Sequence, residues 1–247
     1  MKLKYIIQHL TMGEFKQISF GDGPGTIGEN SYEAVMAHIN LALSALYKRF
    51  KIKEGKVKIE LMDGLLEYTL HSKHSINNPA QPTIPKYLRD STYDRFIDNC
   101  NKIERIVTDK GFEFPLNDFK EADSIHLRSL TSFLLPEHYW DIPRKVPSNL
   151  VTPYVHVTYR AGHTPILDKM LFVEPEVTEV DLPDIYLEAL LYFVASRVHN
   201  PIGFVSEFHE GNNYAAKYEA ECQRLETLGL RMDDSNESSR FSRGGWV

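Results

Sequence analysis

Cysteine is nearly missing from this chain: Cys100 and Cys222 are the only two. Two distant thiols cannot build a disulfide framework, and their spacing does not suit a zinc knuckle. A reducing, cytosolic site of synthesis is therefore the default expectation. Long apolar runs are missing too, since none approaches the roughly 20 residues needed to span a bilayer. The opening Met1-Lys2-Leu3-Lys4-Tyr5-Ile6-Ile7-Gln8-His9-Leu10 has its apolar part broken by Gln8 and His9. It lacks a small-residue cleavage site and does not read as a signal peptide. There is also no lysine/arginine run. With 28 basic against 34 acidic residues the formal net charge is −6. A protein that grips nucleic acid by its phosphates shows a basic patch instead, so gripping is not expected.

Signatures of catalysis are absent as well. The glycine-rich Gly21-Asp22-Gly23-Pro24-Gly25 lacks the Gly-Lys-Ser/Thr ending of a phosphate loop and follows no strand, so it reads as a plain loop. No Gly-x-Ser-x-Gly elbow occurs, and no Gly-x-Gly-x-x-Gly follows a strand. Ten histidines raise the question of a metal. His71 and His74 follow a strand pattern, where their spacing places them on opposite faces. His126, His138, His156, His163, His199 and His209 are scattered outside any His-Glu-x-x-His pattern. Neither cysteine has the local signature of a nucleophile. No catalytic, cofactor-binding or metal-ligating residue is assigned.

What is present is a chain of 247 residues, 42% hydrophobic, 25% charged and 11% aromatic. That composition suits a folded chain able to bury a sizeable core, as one large domain or two joined ones. Leu3, Ile6, Ile7 and Leu10 have the spacing of a short helix with one buried face. Asn30 to Phe50 is the strongest helix of the N-terminal part, with a capping box at Asn30-Ser31-Tyr32-Glu33 and a stripe of Val35, Ile39, Ala42, Leu43, Leu46 and Phe50. The cations Lys48, Arg49, Lys51 and Lys53 suit its C-terminal dipole. Lys56 to Met62 then alternates, Asp63-Gly64 offers a type I′ turn, and Leu65 to Leu70 returns. The expected hairpin pairs Leu61 with Leu66, Ile59 with Tyr68 and Val57 with Leu70, leaving Glu60 opposite Glu67 on the open face. Facing carboxylates can do acid–base work, but on an open face they are normally just solvated.

Residues 71–181 read as β-rich. Asn77 to Pro85 must be a loop, because its prolines forbid helix and ladder alike. Arg95 to Lys110 is a helix or partly extended. Ser124 to Leu130 and Tyr154 to Tyr159 read as strands, and Pro136 to Pro153 and Ala161 to Pro165 as loops. Asp181-Leu182-Pro183-Asp184 starts a helix carrying Ile185, Leu190, Phe193, Val194, Arg197 and Val198, which closes at Asn200-Pro201. A second helix places Tyr214, Tyr218, Cys222, Leu225 and Leu228 on one face, with Gly229 as its stop. The expected fold is α+β: helices at 1–54 and 182–230 form a bundle, and 55–181 is an inserted antiparallel β-rich domain. The bundle core is assigned to Ile39, Leu43, Leu46, Leu190, Phe193, Val194, Tyr218 and Leu225. Arg231 to Arg240 has no apolar stripe, and residues 231–247 read as an extended arm or a frayed end.

Three segments carry a family resemblance. They are His38 to Phe50, then "Leu182-Pro183-Asp184" with Glu188-Ala189-Leu190, Tyr192 and Ala195-Ser196-Arg197, then Asn213-Tyr214-Ala215-Ala216-Lys217-Tyr218 with the terminal Gly245-Trp246-Val247. In this order, around an Asp-Gly turn and a β-rich middle, the chain resembles the head–tail adaptor (connector) proteins of tailed bacteriophages, the group that includes tail tubular protein A. The resemblance implies a structural virion protein, not an enzyme, with no cofactor. It implies a homo-oligomeric ring, typically a dodecamer, that docks beneath the portal protein and meets a downstream tail or nozzle protein. Genomic DNA would pass through its channel during ejection without sequence-specific binding. No membrane is involved. The arm would then be the portal-docking element, with Arg231, Arg240, Phe241, Arg243, Gly245, Trp246 and Val247 as its contacts, several being residue types enriched at interface hot spots. Two alternatives stay open: a virion-associated cell-wall hydrolase using carboxylates such as Glu60 and Glu67, and a non-viral interaction module.

Overall fold

Helices come from both ends of the sequence and strands from its middle, giving an α+β fold with antiparallel sheets. The computed structural model describes residues 1–16, 27, 29–80, 82–121, 124–136, 153–166, 174–199 and 205–230. The chain divides into two units: Met1–Ile52 together with the described residues from His163 onward, and Lys53–Gly162. The division at Gly162 comes earlier than the boundary expected at 181. The reason is long-range backbone pairing. Lys2 bridges Glu179, Leu3 N–H donates to Thr178 O at 2.9 Å, and Val180 N–H donates to Met1 O at 2.7 Å. Residues 174–180 are thereby tied to the first helix.

In the helical unit, α1 (Leu3–Met12) buries Leu3, Ile6 and Leu10 at helical spacing. The second helix, α2 (Glu29–Arg49), buries the expected stripe and adds Tyr32, Met36 and Tyr47 to it. It already begins at Glu29, so Asn30 lies inside the first turn and not at the cap. Pro183 precedes a short 3₁₀ turn, Asp184–Tyr186, which leads into α3 (Leu187–Val198) without any side-chain capping bond. The extra turn shifts the register, which leaves Ile185 exposed. Ala189, Leu190, Leu191, Phe193, Val194 and Ala195 are all buried, so α3 is enclosed on several sides. Then α4 (Val205–Leu225) packs on α3. After Leu225 the helix turns into a π turn, Glu226–Leu230, with Gly229 at φ 79°. That change of period carries Leu228 off the buried face, where it is exposed. One core cluster holds Ile39, Leu43, Leu46, Leu190, Phe193, Val194 and Leu225, with Tyr218 half-buried at its edge.

The inserted unit has its own core and two sheets. The strands β1 (Glu54–Glu60), β3 (Leu88–Arg89), β4 (Cys100–Thr108) and β7 (Tyr154–Ala161) form the first, in the order β3-β1-β7-β4. The strands β2 (Glu67–Thr69), β5 (His126–Ser129) and β6 (Ser132–Leu134) form the second, in the order β2-β6-β5. The hairpin expected between residues 56 and 70 does not form. A type I′ turn needs positive φ at both central residues, and here only Gly64 has it, at 75°. Without the primed geometry the flanking strands splay, and β1 pairs with β7 and β3 while β2 pairs with β6. The Tyr68 hydroxyl, 2.7 Å from Met62 N, fills the place a ladder would take. Within Arg95 to Lys110, read as a helix or partly extended, Cys100–Thr108 is the strand β4. Its bulges between Cys100 and Lys102 and between Ile103 and Arg105 put Ile103 and Ile106 on one buried face, which imitates helical spacing.

A Cβ added at Gly55 would run into the buried ring of Tyr159 opposite it. Gly55→Ala should destabilise the inserted unit by about 1–3 kcal/mol in urea unfolding, the usual range for overpacking. An unchanged midpoint would show that the Tyr159 ring moves aside freely.

Candidate functional site

Four polar clusters stand out among the described residues. The first lies on one face of α2, where Asn40, Ser44 and Tyr47 recur at i, i+4 and i+7. The Asn40 side chain brackets Ile166: its Nδ2 donates to Ile166 O, and Ile166 N–H donates to its Oδ1, both at 2.8 Å. The Tyr47 hydroxyl donates to Asp181 O. Ser44 Oγ lies 2.9 Å from His163 Nε2, and His163 Nδ1 lies 3.2 Å from Thr164 O. A carbonyl only accepts, so when Nδ1 carries the proton the Ser44 hydroxyl donates to Nε2. This is the described residues' nearest approach to a nucleophile with an oriented base. Among the described residues it lacks a donor for a developing oxyanion, because the helix uses the backbone N–H groups around Ser44 and the Asn40 amide is committed to Ile166. The cluster anchors the returning chain on α2.

The second cluster lies on the outer face of the four-stranded sheet. The register sets Lys58 opposite His156 and Glu60 opposite Tyr154. Asp109 Oδ1 is 2.5 Å from His156 Nε2 and 3.1 Å from Lys58 Nζ, and Lys58 also lies 4.2 Å from the Tyr154 ring centroid. Partial desolvation pushes the Asp109 carboxyl up, but hydrogen bonds from Lys58 and His156 outweigh it and hold it below the usual range. Glu60 pairs with Arg89, whose Nε donates to it at 2.7 Å. Glu67 is on β2 in the other sheet, so the facing pair of carboxylates expected from the hairpin register is not formed.

The third cluster closes the loop 71–98. His71 and His74 do not continue a strand but flank and end a 3₁₀ turn, Ser72–His74. Asp98, at φ 57°, accepts hydrogen bonds from the Ser72 N–H and hydroxyl. The His74 ring lies 2.9 Å from Pro85 O through Nδ1 and stacks on Tyr87 at 4.4 Å. Lys86 Nζ donates to three carbonyls, those of Lys73, Asn78 and Ala80, at 2.6, 2.9 and 2.9 Å. A lysine that spends all three donors on its own loop is a tether. Among the described residues, no group of three or more His, Cys, Asp or Glu could hold a metal ion. Burial pushes the Cys100 thiol up to about 12 and the Cys222 thiol upward as well, the opposite of an activated thiolate.

The fourth cluster joins α2 to α4. Arg49 donates from Nη1 and Nη2 to the two carboxylate oxygens of Glu219, at 2.6 and 2.8 Å, and from Nε to Glu226 at 2.8 Å. Sequence reasoning placed Arg49 among cations that merely suit a helix end. The available signal was the seven-residue interval between Glu219 and Glu226, which sets two carboxylates on one helical face. No such signal existed for Asn40, Ser44 or Asp109, whose partners are distant in sequence. Arg231, Arg240, Phe241, Arg243, Gly245, Trp246 and Val247 lie outside the described residues, as do Gly21 to Gly25 and Asn200-Pro201. No described helix is long and apolar enough to cross a membrane. No protein-family model matches the chain, and no curated protein matches it.

His38 and His163 are both held below the ordinary histidine pKa of 6.5 by burial, His38 also by Arg197. Folding therefore favours their neutral forms. Their contribution is complete above pH 6.5 and is lost as pH falls below it through the depressed folded values. Thermal midpoints should drop between pH 7 and pH 5, and His163→Gln should make that drop shallower. A wild-type midpoint that stays level across this window would contradict the assignment.

Proposed function

We propose that the protein is a structural virion component, a head–tail adaptor that forms a ring beneath the portal of a tailed bacteriophage. The observation that carries this reading is the order of the two units along the chain. Helices from both chain ends share one core, and the β unit is inserted between them. That is the order of parts implied by the resemblance, with the helical unit as the bundle and the β unit meeting the downstream tail or nozzle protein. The distribution of charge supports a DNA conduit. Residues 53–162 carry 15 basic and 15 acidic residues, so the surplus of the whole chain, 28 against 34, belongs to the helical unit. An acidic wall lets a polyanion pass without holding it. The role needs no cofactor, no catalytic residue and no membrane. The protein would be made in the host cytoplasm and end in the virion neck.

In this reading residues 231–247 form the portal-docking arm. Arg240, Phe241, Arg243 and Trp246 are its anchoring side chains, and a polar arm of this kind orders on binding. The hydrolase alternative loses its motivating geometry, since Glu60 is paired with Arg89 and Glu67 lies in another sheet. Electron microscopy of the protein mixed with a candidate portal protein should show rings seated on the portal. Deleting Arg240 to Val247 should abolish seating while leaving the circular dichroism spectrum intact. Seating that survives the deletion would refute the arm.

A further inference from the structure

The Arg49 cluster does more than join two helices. It lies where α4 changes into the π turn, and Glu226 is the first residue of that turn. Glu219, Cys222 and Glu226 recur at i, i+3 and i+7, so one face of α4 is presented to the end of α2. Two of the guanidinium's bonds form a fork on Glu219, and the third reaches Glu226. Side-chain exposure is 25% for Arg49, 49% for Glu219 and 26% for Glu226. The bond to Glu226 is therefore the better shielded of the two attachments, and salt screens it less. Among the turn residues whose side chains are described, Glu226 alone has a polar partner on another helix. Thr227 bonds back to Arg224 O at 2.7 Å, Leu228 is exposed, and the space around Gly229 is open.

A glycine at positive φ next to a single ionic tether makes a joint whose direction depends on that tether. We propose that Arg49 is a positioning residue: by holding Glu226 it fixes the π turn and so the direction of the backbone at Leu230, the last described residue. Its functional consequence rests on the arm reading above, whereas the local ordering of the turn does not. An arm aimed before binding loses less freedom on docking than one that searches from a loose joint.

A merely stabilising ion pair would lower global stability and leave the turn no looser than its surroundings. The experiment that separates the two is hydrogen exchange by mass spectrometry on the full-length protein and on Arg49→Gln and Glu226→Gln. Exchange over Glu226–Leu230 should accelerate about tenfold in both variants, the scale of one lost charge-assisted bond, while α3 stays protected. Glu226→Gln keeps the Arg49–Glu219 fork and so serves if Arg49→Gln fails to fold. Unchanged exchange over the turn in folded Glu226→Gln, or equal acceleration across α3, would overturn the inference. The Arg240 to Val247 deletion tests docking separately: rings that seat without those residues refute the arm and leave the exchange result standing.

Discussion

The helical unit depends on the burial of α3. A helix with apolar residues on one stripe needs one neighbour, but this one buries Ala189, Leu190, Leu191, Phe193, Val194 and Ala195 and so must be enclosed. It contacts α1, α2 and α4. Those helices come from opposite ends of the sequence, so burying α3 brings the two ends together. The 110 residues between Lys53 and Gly162 must then fold as a separate body with its own core. Polar contacts secure the return: the Asn40 amide on Ile166, Ser44 on His163 and the Tyr47 hydroxyl on Asp181. They give direction to a junction that apolar burial alone would leave loose.

The inserted unit solves a different problem, that of sheet edges. Two small open sheets expose backbone groups that invite pairing with another chain. Here those groups meet local partners at each edge strand. The Tyr87 hydroxyl serves both Thr69 N–H, at 2.9 Å, and Thr69 O, at 3.1 Å, on β2. Asn117 Oδ1 accepts from Leu127 on β5 at 2.8 Å, Leu130 O accepts from Ile103 on β4 at 2.9 Å, and Ile76 N–H donates to Leu88 on β3 at 3.0 Å. Strand addition is blocked at these positions. Tyr93 and Phe119 are among the most exposed large side chains of the unit.

The candidate chemistry shows how a polar cluster is told from a site. A Ser–His contact, a His–Asp–Lys group and a two-histidine loop are each found among the described residues. Each has its hydrogen bonds made within the protein, on a returning segment, a sheet face or a loop carbonyl. Catalysis needs a polar group held ready for something not yet present, such as a developing oxyanion. These clusters are engaged with the protein itself.

Local periodicity was enough to place the helices, since 3.6-residue spacing is written by neighbours and survives in any context. Leu3, Ile6 and Leu10, the stripe from Val35 to Phe50, and the run from Leu190 to Val194 all lie on buried faces. The strands at 126–129 and 154–161 were legible from alternation for the same reason. Long-range partnership was not. The segments around Asp63-Gly64 carry a hairpin's pattern, yet they join two different sheets, because a strand's partner is whichever edge the whole unit offers. The bulges of β4 left its segment readable as a helix or partly extended, since a bulge resets a period that sequence reading takes as constant. The polarity of residues 231–247 was plain in the sequence, but the Arg49 clamp on the π turn was not. An ion pair across 177 residues exists only once the fold has brought α2 and α4 together.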